Sequence, residues 1–150
     1  MLEHFQSLVN GLAQSLGLEY DASDFSEKHY MIDDSPLDVC YVPESDQMLL
    51  KRPLLTIPPE TRDSALKDIF QESFFFAHMS GSVINLDDDG QASLQCLFPL
   101  NRLDALDVAQ FVENFLNLAD YWTERLTELQ SKPSDTVSGS DLLTMLNMRV

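Results

Sequence analysis

The sequence predicts an α+β fold in which helices pack on a mostly antiparallel sheet. The expected order is helix, three strands, helix, two strands, helix. Three observations support this. Apolar residues recur at helical spacing in the first and last thirds of the chain, short segments between them alternate with a period of two, and Asp89-Gly90 separates two apolar runs. With 150 residues, 44% of them hydrophobic, we expect one domain over residues 1–130 and a flexible linker and tail over 131–150.

The first helix is indicated by a single apolar stripe with a 3-4-3-4 spacing, formed by Leu2, Phe5, Val9, Leu12 and Leu16. Gly17 follows as a natural helix end. Gly11 lies inside the helix and costs about 1 kcal/mol relative to Ala. We therefore expect packing, rather than helix propensity, to stabilise this helix.

Three strands are expected next. His29 to Ile32 is the first, and the turn Asp33-Asp34-Ser35-Pro36 leads to the second. In the second strand Leu37, Val39 and Tyr41 share one face, while Asp38 and Cys40 share the other. Met48 to Ile57 is the third. Pro53 lies inside it and cannot donate a ladder hydrogen bond, so it predicts an edge, a bulge or a strand break.

A second helix is predicted to open at Pro58-Pro59-Glu60, because proline is tolerated in the first turn and a carboxylate there complements the helix dipole. Its apolar positions are Ala65, Leu66, Ile69, Phe70, Phe74 and Ala77. The run from Phe74 to Phe76 spans about 200° of the helix circumference, so one sheet cannot cover it. A partner subunit is the simplest second burial surface.

The last third begins with a hairpin, in which Ser82 to Leu86 and Ala92 to Phe98 flank the turn Asp87 to Gly90. Asn101, with Asp104 three residues on, is the expected N-cap of the last helix. That helix has a 4-3-4-3-4-3 stripe of Val108, Val112, Phe115, Ala119, Trp122, Leu126 and Leu129. A linker-like stretch, Ser131 to Ser140, then precedes a short apolar segment from Asp141 to Leu146, which is either a short helix or a docking tail.

Composition excludes several classes of function. The net charge of -16 makes phosphate-backbone binding and attachment to an anionic membrane unfavourable, so we expect neither nucleic acid nor membrane as a partner. The acidity either keeps the protein soluble or attracts basic partners. No signal peptide is visible, which indicates the cytoplasm.

Chemical sites are also not indicated. Cys40 and Cys96 have no partner at metal-ligand spacing, and we expect two reduced, buried thiols. A calcium loop starting at Asp87 would need a carboxylate where Phe98 stands. The histidines His4, His29 and His78 lie on different elements, and Asp33 and Asp34 belong to a turn, so we expect no enzyme activity, no metal and no cofactor.

The region from about 80 to 126 resembles the C-terminal half of class I type III secretion chaperones, the Tir chaperone family. The shared pattern is a Gly, an apolar strand, an Asp-rich turn, a second apolar strand, a Leu-Pro-Leu-like step and a helix closing on an aromatic residue near a Trp. The matching residues are Gly81, Val83, Ile84, Leu86, Asp87, Gly90, Leu94, Phe98, Pro99, Leu100, Leu103, Phe115 and Trp122. In element order the resemblance covers residues 1 to about 130.

The resemblance implies a homodimeric virulence chaperone that binds the extended N-terminal region of a secreted effector and keeps it soluble and export-competent. Since no phosphate-binding loop is present, release would come from another protein, for example a secretion ATPase. The alternative is a regulatory chaperone of the same fold, which sequesters an anti-activator or a small secreted regulator and so couples secretion to transcription.

Two residue sets follow from the resemblance. The second helix commonly forms the dimer interface, which implies Ile69, Phe70, Ser73, Phe74 and Ala77. The client usually lies against the first helix and the first three strands, which implies Phe5, Leu8, Leu12, Met31, Val39, Tyr41 and Leu49. By its pattern each client-groove residue also fits an ordinary core position, which the pattern favours over client contact, and both alternatives are open at the level of the sequence.

Overall fold

A computed structural model describes residues 1–18, 26–73 and 79–131 of the chain. It contains the expected order of elements. The elements are α1 (Leu2–Leu16), β1 (Glu27–Ile32), β2 (Ser35–Val42), β3 (Gln47–Thr56), α2 (Arg62–Ser73), β4 (Ser82–Leu86), β5 (Gln91–Pro99) and α3 (Ala105–Ser131). Short 3-10 turns, Pro59–Thr61 and Leu100–Arg102, precede α2 and α3. The expected opening of the second helix at Pro58-Pro59-Glu60 is thus a 3-10 turn that continues as α2.

The five strands form one antiparallel sheet in the order β1-β2-β3-β5-β4, so β1 and β4 are its edges. The first turn is tighter than expected, because Asp33 and Asp34 alone form it, with φ of 51° and 60°. Two positive φ values suit a two-residue hairpin, and aspartate tolerates that conformation. Buried Arg52 secures this turn by donating to the carbonyls of Ile32 (3.2 Å) and Ser35 (3.5 Å).

Pro53 lies on the central strand β3, where proline is normally excluded. Its position explains the exception. The pairing of β2 with β3 ends at Lys51, and the register between β3 and β5 shifts between Pro53 and Thr56. Of the three expected alternatives, the bulge-like irregularity is therefore confirmed.

The hydrophobic core lies between one face of the sheet and the helices. The sheet contributes Leu37, Val39, Met48, Leu50 and Leu94, all without exposed surface. The predicted stripe of α3 is confirmed, since its six members from Val108 to Leu126 are buried and Leu129 is partly buried. The stripe of α1 is centred differently from the prediction. Leu2 and Leu16 are exposed at the two helix ends, whereas the buried residues are Phe5, Leu8, Val9, Leu12 and Ala13.

The helices α1 and α3 meet closely near the start of α3. His4 Nε2 lies 3.1 Å from the carbonyl oxygen of Leu100 and 3.2 Å from that of Leu103, and both can only accept, so this nitrogen carries the proton. A Cβ atom built on Gly11 would lie 3.2 Å from the Cβ of Ala105. The glycine that weakens α1 as an isolated helix thus lets the two helices approach.

The N-cap of α3 is Asp104 and not Asn101, which lies inside the preceding 3-10 turn. Asp104 Oδ1 accepts hydrogen bonds from the backbone N–H groups of Leu106 and Asp107, both at 2.9 Å. Asp107 Oδ2 accepts from the N–H of Asp104 at 3.4 Å. This reciprocal pair is a capping box built from two aspartates, which the 3-10 turn displaces by one turn from the predicted position.

Helix α2 is attached to the core by Ala65 and Ile69 and to α3 by an ion pair. Arg125 donates through Nε and Nη2 to the two carboxylate oxygens of Asp68, and Nη2 lies 3.4 Å from Glu72. A bidentate, partly buried pair of this kind is geometrically specific. The predicted aromatic run Phe74 to Phe76 and Ala77 lie outside the described residues.

The turn between β4 and β5 contacts the start of α2 through Gly90. Gly90 has φ of +87°, its carbonyl accepts from the N–H of Ile57 at 2.8 Å, and the Arg62 side chain lies against it. A Cβ atom there would lie 2.6 Å from the Ile57 carbonyl oxygen. Only glycine therefore fits this contact.

We expect Gly90→Ala to lower the free energy of unfolding by about 2–4 kcal/mol, because it adds a clash with backbone to an unfavourable φ. The measurement is urea unfolding followed by circular dichroism. The matched control is Gly17→Ala, where φ is +65° but nothing lies within 4 Å of the new Cβ, so about 1 kcal/mol is expected. Equal losses in the two variants would contradict the proposed clash.

The open face of the sheet as a candidate binding site

The second face of the sheet carries apolar side chains that stay accessible. The described helices all contribute to the core on the opposite face, while Met31, Val83 and Leu97 are 63%, 53% and 49% exposed. Leu49 is half-buried between its neighbours. Leu49 and Leu97 are register partners, and neighbouring accessible apolar side chains of this kind typically mark an interaction site. We call this surface the open face.

The register arranges the open face in rows that cross the sheet. Glu27 pairs with Cys40, Cys40 with Leu49, and Leu49 with Leu97. The next row is His29, Asp38, Lys51, Gln95 and Val83. In these two rows the apolar members Leu49, Leu97 and Val83 lie toward β4, and the ionisable members lie toward the β1 edge.

Two depressions lie on this face. The larger, of about 340 Å³, is lined mainly by polar groups and prolines, among them Pro36, Lys51, Pro53, Gln91, Ser93 and Gln95. The smaller, of about 120 Å³, is lined by Leu49, Gly81, Val83, Gln95, Cys96 and Leu97. Both are shallow and open, which suits a peptide or a helix side chain better than an enclosed small molecule.

Charged groups at the β1 edge pair with one another. His29 Nδ1 lies 2.8 Å from Asp38 Oδ1, and His29 Nε2 lies 3.8 Å from Glu27 Oε1. The Cys40 thiol donates to Glu27 Oε1 at 3.4 Å. Burial and this hydrogen bond raise the pKa of Cys40 to about 12, so the thiol stays protonated at neutral pH.

The structure divides the predicted client-groove residues into two groups. Phe5, Leu8, Leu12 and Val39 are buried in the core, with at most 3% of their surface exposed. Met31 and Leu49 lie on the open face. Tyr41 is half-buried beside Phe5, with ring centroids 5.6 Å apart, and its hydroxyl donates to Asp46 at 2.6 Å, which raises the pKa of Tyr41.

The predicted dimer residues are similarly divided. Ile69 is buried in the core, Ser73 is partly exposed, and Phe70 is 71% exposed on the outer side of α2. Phe74 and Ala77 lie outside the described residues. Phe70 is therefore the described member of the set that is available to a second subunit.

Val83 and Leu97 were not among the predicted client residues. The signal was present in the alternation of the hairpin, since Leu94 and Cys96 face the core and Leu97 must then face outward. The sequence did not reveal that none of the described helices would cover this outward face.

Features that would indicate other functions are absent from the parts of the chain that the structure describes. No group of three His, Cys, Asp or Glu side chains is arranged to hold a metal ion. None of the described helices is long and apolar enough to cross a membrane. Cys40 and Cys96 are free thiols, Cys96 buried and Cys40 half-buried.

Comparison with known proteins identifies relatives of the chain. A model of the Tir chaperone protein (CesT) family matches residues 7–123. No curated protein matches. The fold is similar to that in a crystal structure of the ExsC-ExsE complex, with a TM-score of 0.72 at 15% identity over 84% of this chain and 96% of the other.

Two further solved structures are similar. The HopA1-SchA chaperone-effector complex has a TM-score of 0.65 at 16% identity, over 82% of this chain and 95% of the other. The Yersinia pestis type III secretion chaperone SycH, in complex with a stable fragment of YscM2, has a TM-score of 0.64 at 19% identity, over 79% and 98%. At these identities the likeness is one of fold.

The raised pKa of Cys40 gives a testable prediction. At pH 8 we expect iodoacetamide to alkylate Cys40 at least about tenfold more slowly in the folded protein than in urea, because the thiolate is the reactive form. Peptide mass spectrometry distinguishes Cys40 from Cys96. Glu27→Gln should accelerate the reaction, whereas Glu44→Gln, at an exposed carboxylate, should not. Alkylation as fast in the folded protein as in urea would contradict the assignment.

Proposed function

We propose, from the premise that the chain belongs to the Tir chaperone protein (CesT) family, that it is a chaperone of a bacterial type III secretion system. In this proposal it works in the cytoplasm, binds the extended N-terminal region of a secreted effector, and keeps that region soluble and competent for export. The observation that carries the proposal is the family match over residues 7–123, which includes most of α1, all five strands and α2.

The solved structures of similar fold support a role in binding a partner protein. HopA1-SchA is a chaperone-effector complex, and SycH is a type III secretion chaperone bound to a fragment of YscM2. In each case the aligned region covers most of this chain and nearly all of the chain in the solved structure, so the likeness extends over the whole fold. A partner-binding role for this chain is consistent with its accessible apolar surface.

The client site that we propose is centred on the open-face residues Met31 and Leu49, extended by Val83 and Leu97. Tyr41 lies on the core face of the sheet, beside Phe5, and is not part of this site. Phe5, Leu8, Leu12 and Val39 lie in the core beneath this region and hold the sheet and α1 together. We propose that apolar side chains of an extended client peptide occupy the open face.

The proposal includes no catalytic activity and no cofactor. Binding energy comes from burying apolar surface, at about 25 cal/mol per Å². The acidic surroundings favour a basic client segment and raise its rate of encounter. Client release is assigned to another protein, such as a secretion ATPase.

We also propose that two copies of the chain associate through α2. Phe70 is the largest exposed apolar side chain on that helix, and full burial of a Phe stabilises an association by about 1.5–3 kcal/mol. A two-fold interface uses each such residue twice. The described part of α2 therefore provides an anchor for the dimer that the sequence implies.

The function is tested by affinity purification of the tagged protein from its native host under secretion-inducing conditions, with mass spectrometry of the co-purified proteins. We expect one stoichiometric secreted protein, bound through its N-terminal region. Recovery of a transcriptional anti-activator instead would favour the regulatory alternative. Recovery of the chain alone would oppose both.

The client site predicts a specific loss of affinity. Met31→Asp should weaken binding of the captured client's N-terminal segment by about 10-fold or more, because an apolar contact is replaced by a charge that must be desolvated. Calorimetric titration measures the change. Leu106→Asp is the matched control, since Leu106 is 83% exposed on α3. Unchanged binding in Met31→Asp, or an equal loss of affinity in both variants, would contradict a client site on the open face.

The dimer proposal predicts that Phe70→Asp raises the dissociation constant of the dimer at least about 100-fold, since the change acts twice at a symmetric interface. Sedimentation velocity over a concentration series gives the constant. Gln71→Asp, at the neighbouring exposed position, should leave it unchanged. A folded Phe70→Asp variant that sediments as the wild-type dimer would contradict an α2 interface.

A further inference from the structure

We infer that the C-terminal segment of this chain, residues 141–148, docks on the open face of its own sheet. Three features of the chain support this. They are the position of the end of α3, the length of the connection that follows it, and the apolar character shared by residues 141–148 and the open face. Such docking goes beyond client binding and is measured on the purified protein alone.

The first observation is the position of the end of α3. Gln130 Nε2 donates to the carbonyl oxygen of Thr56 at 3.2 Å. The hydroxyl of Thr56 in turn donates to Gln91 Oε1 at 3.1 Å, and Gln91 lines the larger depression of the open face. The last described turn of α3 is therefore fixed beside the rim of that face.

The second observation is reach. Nine residues, 132–140, separate the end of α3 from the apolar segment, and they span up to about 30 Å when extended. From Gln91 to Leu97 the distance along β5 is about 20 Å, at roughly 3.3 Å per residue. The connection is long enough to pass the rim and to bring residues 141–148 to Leu97 and Val83.

The third observation is chemical. Residues 141–148 read Asp-Leu-Leu-Thr-Met-Leu-Asn-Met, so five of the eight are Leu or Met and one is charged. Leu142, Met145 and Leu146 have the i, i+3, i+4 spacing of one helix face. The open face presents the matching apolar groups Leu49, Val83 and Leu97, and methionine side chains adapt to shallow, irregular surfaces such as its smaller depression.

Tethering makes this contact effective even when it is intrinsically weak. A short connection within one chain gives an effective concentration of about 1 mM, so a contact with a millimolar dissociation constant is already half-occupied. In the free protein the segment would then shield the apolar part of the open face from water. A second copy of the chain and a client protein would compete with residues 141–148 for the open face.

The test is photocrosslinking of the full-length protein with p-benzoyl-L-phenylalanine at position 97. A mixture of ¹⁵N-labelled and unlabelled protein separates crosslinks within a chain from crosslinks between chains. We expect the main product to join position 97 to residues 141–148 of the same chain. Crosslinks mainly between chains would overturn the inference in favour of a second copy, and the absence of products in 141–148 would overturn it altogether.

Matched variants make the result specific. Combined Leu142→Asp and Leu146→Asp should reduce the intrachain product at least about fivefold, while Thr144→Asp should leave it near the wild-type level. A probe at position 106, which is exposed near the start of α3, should not capture residues 141–148. Equal capture at positions 97 and 106 would indicate a segment that contacts the surface at random and would also overturn the inference.

Discussion

The structure depends on a sheet of which the described helices cover one face. Because side chains alternate along each strand, the residues that fill the core from β2, β3 and β5 leave every second side chain on the opposite face. The long helix α3 covers the first face with an unbroken stripe from Val108 to Leu126. With the described helices on one side, the other side is the surface on which we propose that a partner is recognised.

Much of this arrangement could be predicted from local patterns. The order of elements, the alternation of β2 and the stripe of α3 all follow from periodicity, and the hairpin follows from Asp89-Gly90. The misplaced N-cap has a different cause, because a 3-10 turn after Pro99 moves the start of α3 from Asn101 to Asp104. Periodicity also identifies the two faces of a strand without telling which one is covered. Val39 and Met31 were equivalent candidates in the sequence, yet one is fully buried and the other mostly exposed.

The charge of the chain fits the exposure of so much apolar surface. A net charge of -16 on 150 residues opposes the approach of like copies over distances near the Debye length, about 8 Å at physiological ionic strength. Apolar side chains such as Val83 and Leu97 can then face water with less risk of indiscriminate association. Specific contacts, which bring complementary groups within van der Waals distance, can still overcome this repulsion. In the proposed function, solubility and attraction of basic client segments are therefore two results of the same net charge.

The contact between α1 and the start of α3 also determines when the chain can complete its fold during synthesis. His4 is bound to carbonyl groups that lie 96 and 99 residues later in the sequence. At translation rates of up to about 20 residues per second, roughly five seconds or more pass before those groups are made. During this time the apolar stripe of α1 lacks the contacts supplied by α3, and closing so long a loop slows folding further. Until α3 is synthesised, the nascent chain therefore exposes apolar surface of α1 that the complete fold buries.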